Sequence, residues 1–284
     1  MENGILYLVP TPIGNLEDIT HRAVRILKEV ELILAEDTRQ TRKLLSHFDI
    51  RTPTLSMHEH NENKRIEELL EKLQSGQNHA LVSDAGTPLV SDPGERLVSA
   101  CIREQVTVTP LPGANAAVTS LIASGFGGGP FYFHGFLPRK KKEVTETLKR
   151  LGDIQVPLIF YESPYRLTAT LEQLRDSWEN REAVVARELT KHYEQFYRGT
   201  LEELASIGRE NGWKGECCLI VGGASDEEAD AYRKVHWWEG LTVIGHVEAY
   251  EASGWGRKAS LKQCAVDRKM SKNKVYAIYH GLDQ

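Results

Sequence analysis

The residues best placed to do chemistry sit in three short loops, each emptying from an apolar run that reads as a buried strand. They are Leu8-Val9-Pro10-Thr11-Pro12-Ile13-Gly14-Asn15, Leu81-Val82-Ser83-Asp84-Ala85-Gly86-Thr87-Pro88 and Thr109-Pro110-Leu111-Pro112-Gly113-Ala114-Asn115-Ala116. Glycine lets a backbone approach a ligand closely, while Asp and Thr offer an acceptor and a hydroxyl. Ligands of open α/β sheets bind at the carboxyl ends of strands, where these loops lie. Such loops suit a compact, polar, largely uncharged ligand held by main-chain groups, such as an adenosine moiety. The chain has no G-x-x-x-x-G-K-[ST], which disfavours a P-loop NTPase. Nor does a G-x-G-x-x-G follow the first strand, as a dinucleotide fold would require.

Three further groups cluster at strand ends: Glu36, Asp37 and Arg39; His58-Glu59-His60-Asn61-Glu62; and Arg187, Glu188 and Lys191. They combine carboxylates, imidazoles and cations, the groups that move protons or grip phosphate. His58-x-His60 also suits a metal pair, but no other histidine or cysteine cluster completes a tetrahedral set, so no metal is expected. Cys101, Cys217, Cys218 and Cys264 have neither metal nor ordinary disulfide spacing, as a reducing cytoplasm would allow.

The elements that must position these groups alternate. Strands are expected at Ile5–Val9, Glu31–Ala35 and Val106–Pro110, and helices at Ile19–Val30, Arg39–Phe48, Glu62–Gln74 and Ala114–Ser124. Asp92-Pro93-Gly94-Glu95 reads as a helix start, with Asp92 as the N-cap. The alternation implies an α/β fold, with helices packed on a mostly parallel sheet. A break at Gly125–Pro130 separates residues 1–124 from a second α/β domain at 125–223. There, strands are expected at Phe131–Phe136, Pro157–Tyr161, Ala183–Arg187, His192–Arg198 and Glu216–Val221, the third and fourth forming a hairpin in a mixed sheet. Helices fall at Lys142–Leu151, Pro164–Trp178 and Leu201–Asn211.

From about residue 224 the composition shifts, and Leu241–Glu251, Lys258–Arg268 and Lys272–Tyr279 read as three short helices in a C-terminal element. Their basic content fits a small nucleic-acid-binding unit, and a helical cap or dimerisation arm fits the pattern equally. His236-Trp237-Trp238 suits base stacking, although packing of a terminal helix is the favoured role. The chain of 284 residues carries a net charge of −5, which argues weakly against a protein coated in nucleic acid. Two local basic blocks stand out, at 257–274, where Asp267 is the one acidic residue, and at Arg139-Lys140-Lys141-Lys142. No apolar run approaches the roughly 20 residues that cross a bilayer, and no secretory signal is visible.

Six motifs in order resemble the bacterial small-subunit rRNA methyltransferases of the tetrapyrrole methylase superfamily. They are residues 8–20, Ala-Glu-Asp-Thr-Arg at 35–39, Ser-Asp-Ala-Gly-Thr-Pro at 83–88, Pro-Leu-Pro-Gly-Ala-Asn-Ala at 110–116, Phe-Tyr-Glu-Ser-Pro-Tyr-Arg at 160–166 and Ala-Arg-Glu-Leu-Thr-Lys at 186–191. The resemblance implies two α/β domains with S-adenosylmethionine in the cleft between them, a homodimer, and 2′-O-methylation of a cytidine in 16S rRNA of the small ribosomal subunit. Carried over by position, it implies a cofactor site drawing on Pro10, Gly14, Asp84, Gly86, Thr87, Gly113, Ala114, Tyr161 and Ala186. The strand-end groups then suggest Glu188 or Lys191 beside the reacting hydroxyl. Arg39, His58, Asn61, Arg187 and the basic Lys258, Lys262 and Lys272 are expected to contact RNA. A superfamily enzyme acting on a tetrapyrrole or other small molecule, or a non-catalytic RNA-binding assembly factor, is the alternative.

Overall fold

The computed structural model describes residues 3–58 and 62–282. It separates into two compact units, Met1–Ser225 and Asp226–Gln284.

The first unit holds two five-stranded sheets. In the first sheet, Ile5–Leu8 (β1), Leu32–Ala35 (β2), Thr54–Ser56 (β3), His79–Val82 (β4) and Thr107–Pro110 (β5) run parallel in the order β3-β2-β4-β1-β5. Parallel neighbours need crossovers, which His21–Glu29 (α1), Thr38–His47 (α2), Glu62–Gln74 (α3) and Glu95–Arg103 (α4) supply. Ala23, Ile26 and Leu27 of α1 and Leu45 of α2 pack in one core with Ile33 and Ala80. Leu69 and Leu73 of α3 and Leu97 of α4 pack in another, on the opposite face, with Leu6, Leu34 and Leu81. The chain therefore leaves adjacent β1 and β4 toward opposite faces. This makes a switch point at which their loops diverge and open a crevice. Thr11 and Gly86 span it in a two-hydrogen-bond bridge of 2.9 and 3.0 Å.

The second sheet is mixed, as expected: Tyr132–Phe136 (β6), Leu158–Glu162 (β7), Glu182–Arg187 (β8), Gln195–Thr200 (β9) and Cys217–Val221 (β10) in the order β6-β7-β10-β8-β9. Only β6 and β7 pair in parallel, and β8–β9 is the anticipated antiparallel hairpin. Ala116–Ser124 (α5) covers one face of this sheet, with Ala117 and Leu121 against Ile159, Val184, Ala186, Cys218 and Ile220. The buried residues of α5 are Ala117, Ser120, Leu121 and Ser124, a stripe at helical spacing that is small at three of its four positions. Lys141–Leu151 (α6), Pro164–Trp178 (α7) and Leu201–Asn211 (α8) contribute to a core on the other face around Leu158, Phe160, Val185 and Leu219.

One helix start differs from the sequence reading. Helix α4 begins at Glu95, its N-cap is Gly94 at φ 122°, and no side chain caps it locally. The backbone twists before it, with Leu89 and Ser91 both in the left-handed region at φ 71° and 72°. A Cβ at Gly94 would meet Leu81 Cδ2 at 2.7 Å. The first turn is served from a distance, since the amide of Leu97 donates to the buried carboxylate of Glu62 at 3.1 Å. Asp92 is thereby released from capping. The Glu62→Ala variant should lose about 1–2 kcal/mol of stability by chemical denaturation, because a buried helix-terminal amide is left without an acceptor.

In the second unit, Asp226–His236 (α9) precedes Val243–Ala252 (α10), Arg257–Asp267 (α11) and Lys272–Tyr279 (α12). The last three follow the sequence reading within two residues; α9, in an acidic stretch with no clear apolar stripe, has no counterpart in it. Val247, Leu261, Cys264, Ala265 and Val275 form the core. Arg268 donates to the carbonyls of Trp238, Leu241 and Thr242 and to Nδ1 of His246. The Trp238 ring stacks on buried His246, with centroids 5.1 Å apart, and Trp237 meets the same ring edge-on. These tryptophans pack within their own unit. Lys258, Lys262 and Lys272 remain exposed.

Candidate active site

The three glycine loops form one wall of a cavity of about 310 Å³ between the two sheets of the first unit. Each loop is braced by main-chain bonds. Val9 N donates to Leu81 O and Leu111 N to Leu8 O, both at 2.9 Å, which draws the loops after β1, β4 and β5 together. The Thr87 hydroxyl donates to Ala114 O at 2.9 Å, joining the second loop to the third. Gly86 adopts φ 82°, and a Cβ there would meet Ile13 Cγ2 at 3.1 Å and Ala114 O at 3.3 Å. A side chain at that position would be strained and would fill the junction of all three loops.

From this half Ile13, Gly86, Thr87, Val90, Asp92 and Asn115 line the cavity. The second sheet supplies Phe136, Tyr161, Glu162, Ala186, Leu189 and the run Gly215–Cys218. Asn115 has a second task, because its side-chain oxygen also accepts from Val118 N at 3.1 Å and starts α5. Glu162 is buried and fixed, accepting from the Ser163 amide at 2.7 Å and the Thr170 hydroxyl at 2.9 Å.

Of the nine residues expected around a cofactor, Gly86, Thr87, Tyr161 and Ala186 line the cavity. The other five stand behind or beside it. A Cβ on Gly113 would meet Pro10 Cβ at 2.5 Å, so these two residues set the spacing of the first and third loops. Ala114 contributes the carbonyl that holds Thr87. Gly14 faces the loop after β8, where a Cβ would meet Lys191 Cγ at 2.5 Å and Leu189 O at 3.0 Å. Asp84 is exposed, and its carboxylate accepts from Asp37 N at 3.1 Å.

The strand-end charges divide into two groups. In the first, Asp37 pairs with Arg39, at 2.7 Å between Oδ2 and Nη2, and hydrogen bonds from Arg39 hold its carboxyl at about 2. Glu36 is raised by burial and then by Asp84, with His58 near enough to oppose the shift. Asp92 is pushed up to about 6, first by burial and then by the negative charges of Glu36 and Asp84. In the second group, Lys191 Nζ lies 2.9 Å from both Glu188 Oε1 and Glu216 Oε2, and Glu188 also accepts from Glu216 N. Hydrogen bonds from Lys191 and the Glu216 amide hold the Glu188 carboxyl below the usual range. Burial alone would lower the Lys191 ammonium, but its two carboxylate partners outweigh this and raise it. Arg187 is tied to Lys214 O at 2.7 Å. Glu59, His60 and Asn61 lie outside the described residues. No group of three or more His, Cys, Asp or Glu able to hold a metal occurs among the described residues.

Sequence reasoning misses Phe136, Glu162, the Gly215–Cys218 run and Asp92 as site residues. Glu162 lies inside the 160–166 motif without being singled out there, and the Asp-Pro-Gly sequence around Asp92 reads more readily as a helix cap. Both cavity cysteines are inert thiols, pushed by burial to about 11 at Cys217 and about 12 at Cys218.

The tetrapyrrole (corrin/porphyrin) methylase model matches residues 5–205, which takes in the three loops and most of both sheets. The chain belongs to the tetrapyrrole methylase family. Among the proteins most similar to it is ribosomal RNA small subunit methyltransferase I of Halalkalibacterium halodurans, 51% identical and aligned over 98% of this chain and 96% of that protein. Solved structures share the fold. Cobalt precorrin-4 methyltransferase aligns with a TM-score of 0.60 at 17% identity, covering 77% of this chain and 94% of that one. Uroporphyrin-III C-methyltransferase from Thermus thermophilus, complexed with S-adenyl homocysteine, aligns with a TM-score of 0.54 at 20% identity, covering 77% and 97%.

Within this family member Gly14 is a spacer between the two halves of the cavity. The Gly14→Ala variant should lose about 1–3 kcal/mol in thermal or chemical denaturation, because one of the atoms it strikes, Leu189 O, is backbone and cannot swing away.

Proposed function

We propose that this protein transfers a methyl group from S-adenosylmethionine to the 2′-hydroxyl of a cytidine in 16S rRNA of the small ribosomal subunit, and that it acts as a homodimer. The observation that carries the reading is the near full-length 51% identity to a ribosomal RNA small subunit methyltransferase I. The cavity supports it: glycine-spaced main chain on one side and Tyr161, Ala186 and Leu189 on the other suit an adenosine and its short amino-acid arm. Gly86, Thr87, Tyr161 and Ala186 would hold the cofactor directly. Pro10, Gly14, Asp84, Gly113 and Ala114 would fix the loops around it, in a cleft between residues 1–124 and 125–223.

When bound there, S-adenosylmethionine supplies a methyl group already activated by its positive sulfur. The work left to the protein is to orient the acceptor and manage its proton. Orientation in a near-attack geometry contributes as much as about 7–11 kcal/mol in favourable cases. Lys191, kept as an ammonium by Glu188 and Glu216, is suited to stabilise negative charge on the acceptor oxygen or an adjacent phosphate, with Glu188 positioning it. Arg39, its side chain 85% exposed, together with His58, Asn61 and Arg187, is assigned to ribose and phosphate. Lys258, Lys262 and Lys272 of the helical unit are assigned to further phosphates.

The test is methyl transfer from labelled S-adenosylmethionine to small ribosomal subunits lacking the modification, followed by nucleoside digestion. Labelled 2′-O-methylcytidine is expected. Binding of S-adenosylhomocysteine without any rRNA labelling would overturn the acceptor, and no binding would overturn the methyltransferase reading. Replacing Lys258, Lys262 and Lys272 together by Ala should weaken subunit binding. It should also lower the slope of log affinity against log salt by about 2–3, roughly one for each phosphate no longer neutralised.

A further inference from the structure

We propose that Asp92 is the general base that takes the proton from the acceptor hydroxyl, an assignment that rests on the methyl-transfer function proposed above. Three observations carry it. Asp92 lines the cavity between the glycine loops and the second sheet. It has no part in starting α4, because Gly94 occupies the N-cap and Glu62 serves the helix amide, so its carboxyl has no structural employment there. The segment that presents it is held in an unfavourable backbone, with Leu89 and Ser91 both at positive φ. A leucine in that region is a steric outlier, and such strain persists only where the surroundings enforce it.

The charges around Asp92 suit the role. Glu36 faces it from the end of β2, Asp84 and the Ser83 hydroxyl from the end of β4, and Tyr161 from β7; Glu162 and Glu216 line the same cavity. With burial, the negative neighbours raise its proton affinity to about 6, which leaves it ionised at neutral pH yet more basic than an ordinary carboxylate. Glu188 is set the other way, its carboxyl already committed to Lys191 and the Glu216 amide and held below the usual range. As the acceptor oxygen forms its bond to the methyl carbon, the carbon–sulfur bond breaks with its electron pair left on sulfur. The hydroxyl proton passes to an Asp92 oxygen, which afterwards releases it to water.

The test compares wild type, Asp92→Asn and Asp92→Glu in single-turnover methyl transfer to small subunits from about pH 5 to 9, spanning the raised Asp92 value, with S-adenosylhomocysteine affinity measured by calorimetry on each. Wild type should gain rate as pH rises through about 6 and then level off, since the base must be ionised. Asp92→Asn should be slower by roughly 100-fold or more and lose that acid limb, while Asp92→Glu recovers part of both. Cofactor-product affinity should stay within about threefold throughout, which separates a missing base from a collapsed cavity. An Asp92→Asn rate within about threefold of wild type, or an acid limb that survives the substitution, would overturn the assignment while leaving the function intact. Absence of transfer by wild type itself would overturn both.

Discussion

The close seating of α5 on the second sheet is the contact on which the rest of the first unit depends. Ala117, Ser120 and Ser124 present almost no bulk on the buried stripe, and the Ser120 hydroxyl lies 3.0 Å from Cys218 Sγ. Small residues let a helix backbone approach a sheet closely, and interiors transmit such distances because they are close-packed. The same helix is the continuation of the third glycine loop, started by the side chain of Asn115. Its docking therefore fixes where the carboxyl ends of the first sheet stand relative to β7, β8 and β10. Gly14 against the Leu189–Lys191 loop is the second fixed distance, and Arg198 donating to Ala123 O at 2.6 Å is a third. The cavity is what these spacings leave unfilled.

Within that space the electrostatics are asymmetric. Carboxylates of the first half lie near one another with little cationic relief, since the neighbouring guanidinium of Arg39 is spent on Asp37. Burial first, and then these negative neighbours, raise both Glu36 and Asp92. In the loop after β8, Glu188 and the cavity-lining Glu216 share Lys191, and the Glu188 carboxyl stays firmly ionised. Asp92 is thus able to accept a proton near neutrality, while Lys191 is a cation whose charge does not vary there. Two groups pushed apart in this way are the usual arrangement of proton-transfer sites.

Most of the scaffold is legible in the sequence. Short apolar runs bounded by Gly and Pro mark the strands, and the step from Ala183–Arg187 to His192–Arg198 within a few residues announces the hairpin. Gly86 and Gly113 are identifiable as close-approach positions, because little else explains such residues at successive strand ends. Long-range pairings are not legible. Asp92 followed by Pro-Gly has the local chemistry of a helix cap, and only the tertiary approach of Glu62 to the Leu97 amide takes that task from it. Glu188 reads as a free base because nothing nearby in sequence reveals that Glu216 joins Lys191 in enclosing it. Phe136 sits at the end of an ordinary strand, where position in the sheet rather than residue type brings it to the cavity. Arg268 counts toward a basic surface, yet it is spent on three carbonyls and the His246 ring.

The division between backbone and side chains explains how one fold serves unlike acceptors. The inner wall is built from turns, carbonyls and small residues, whose positions depend on spacing, so under the proposed function it would hold the cofactor without reference to what is methylated. Proteins sharing only 17% and 20% identity with this chain retain the fold, as expected if hydrogen-bonded loop geometry, rather than particular side chains, is what must be preserved. Under the proposed function, acceptor choice would fall to groups that geometry leaves free to vary: the exposed Arg39, the Lys191 cluster and the lysines of α11 and α12. A macrocyclic polycarboxylate and a phosphodiester strand are both anionic, so net charge alone does not distinguish them. Repetition does, because phosphates recur along a strand and each further cation that neutralises one adds to binding. Under the proposed function, the exposed Lys258, Lys262 and Lys272 of α11 and α12 would add contacts to a long polyanion.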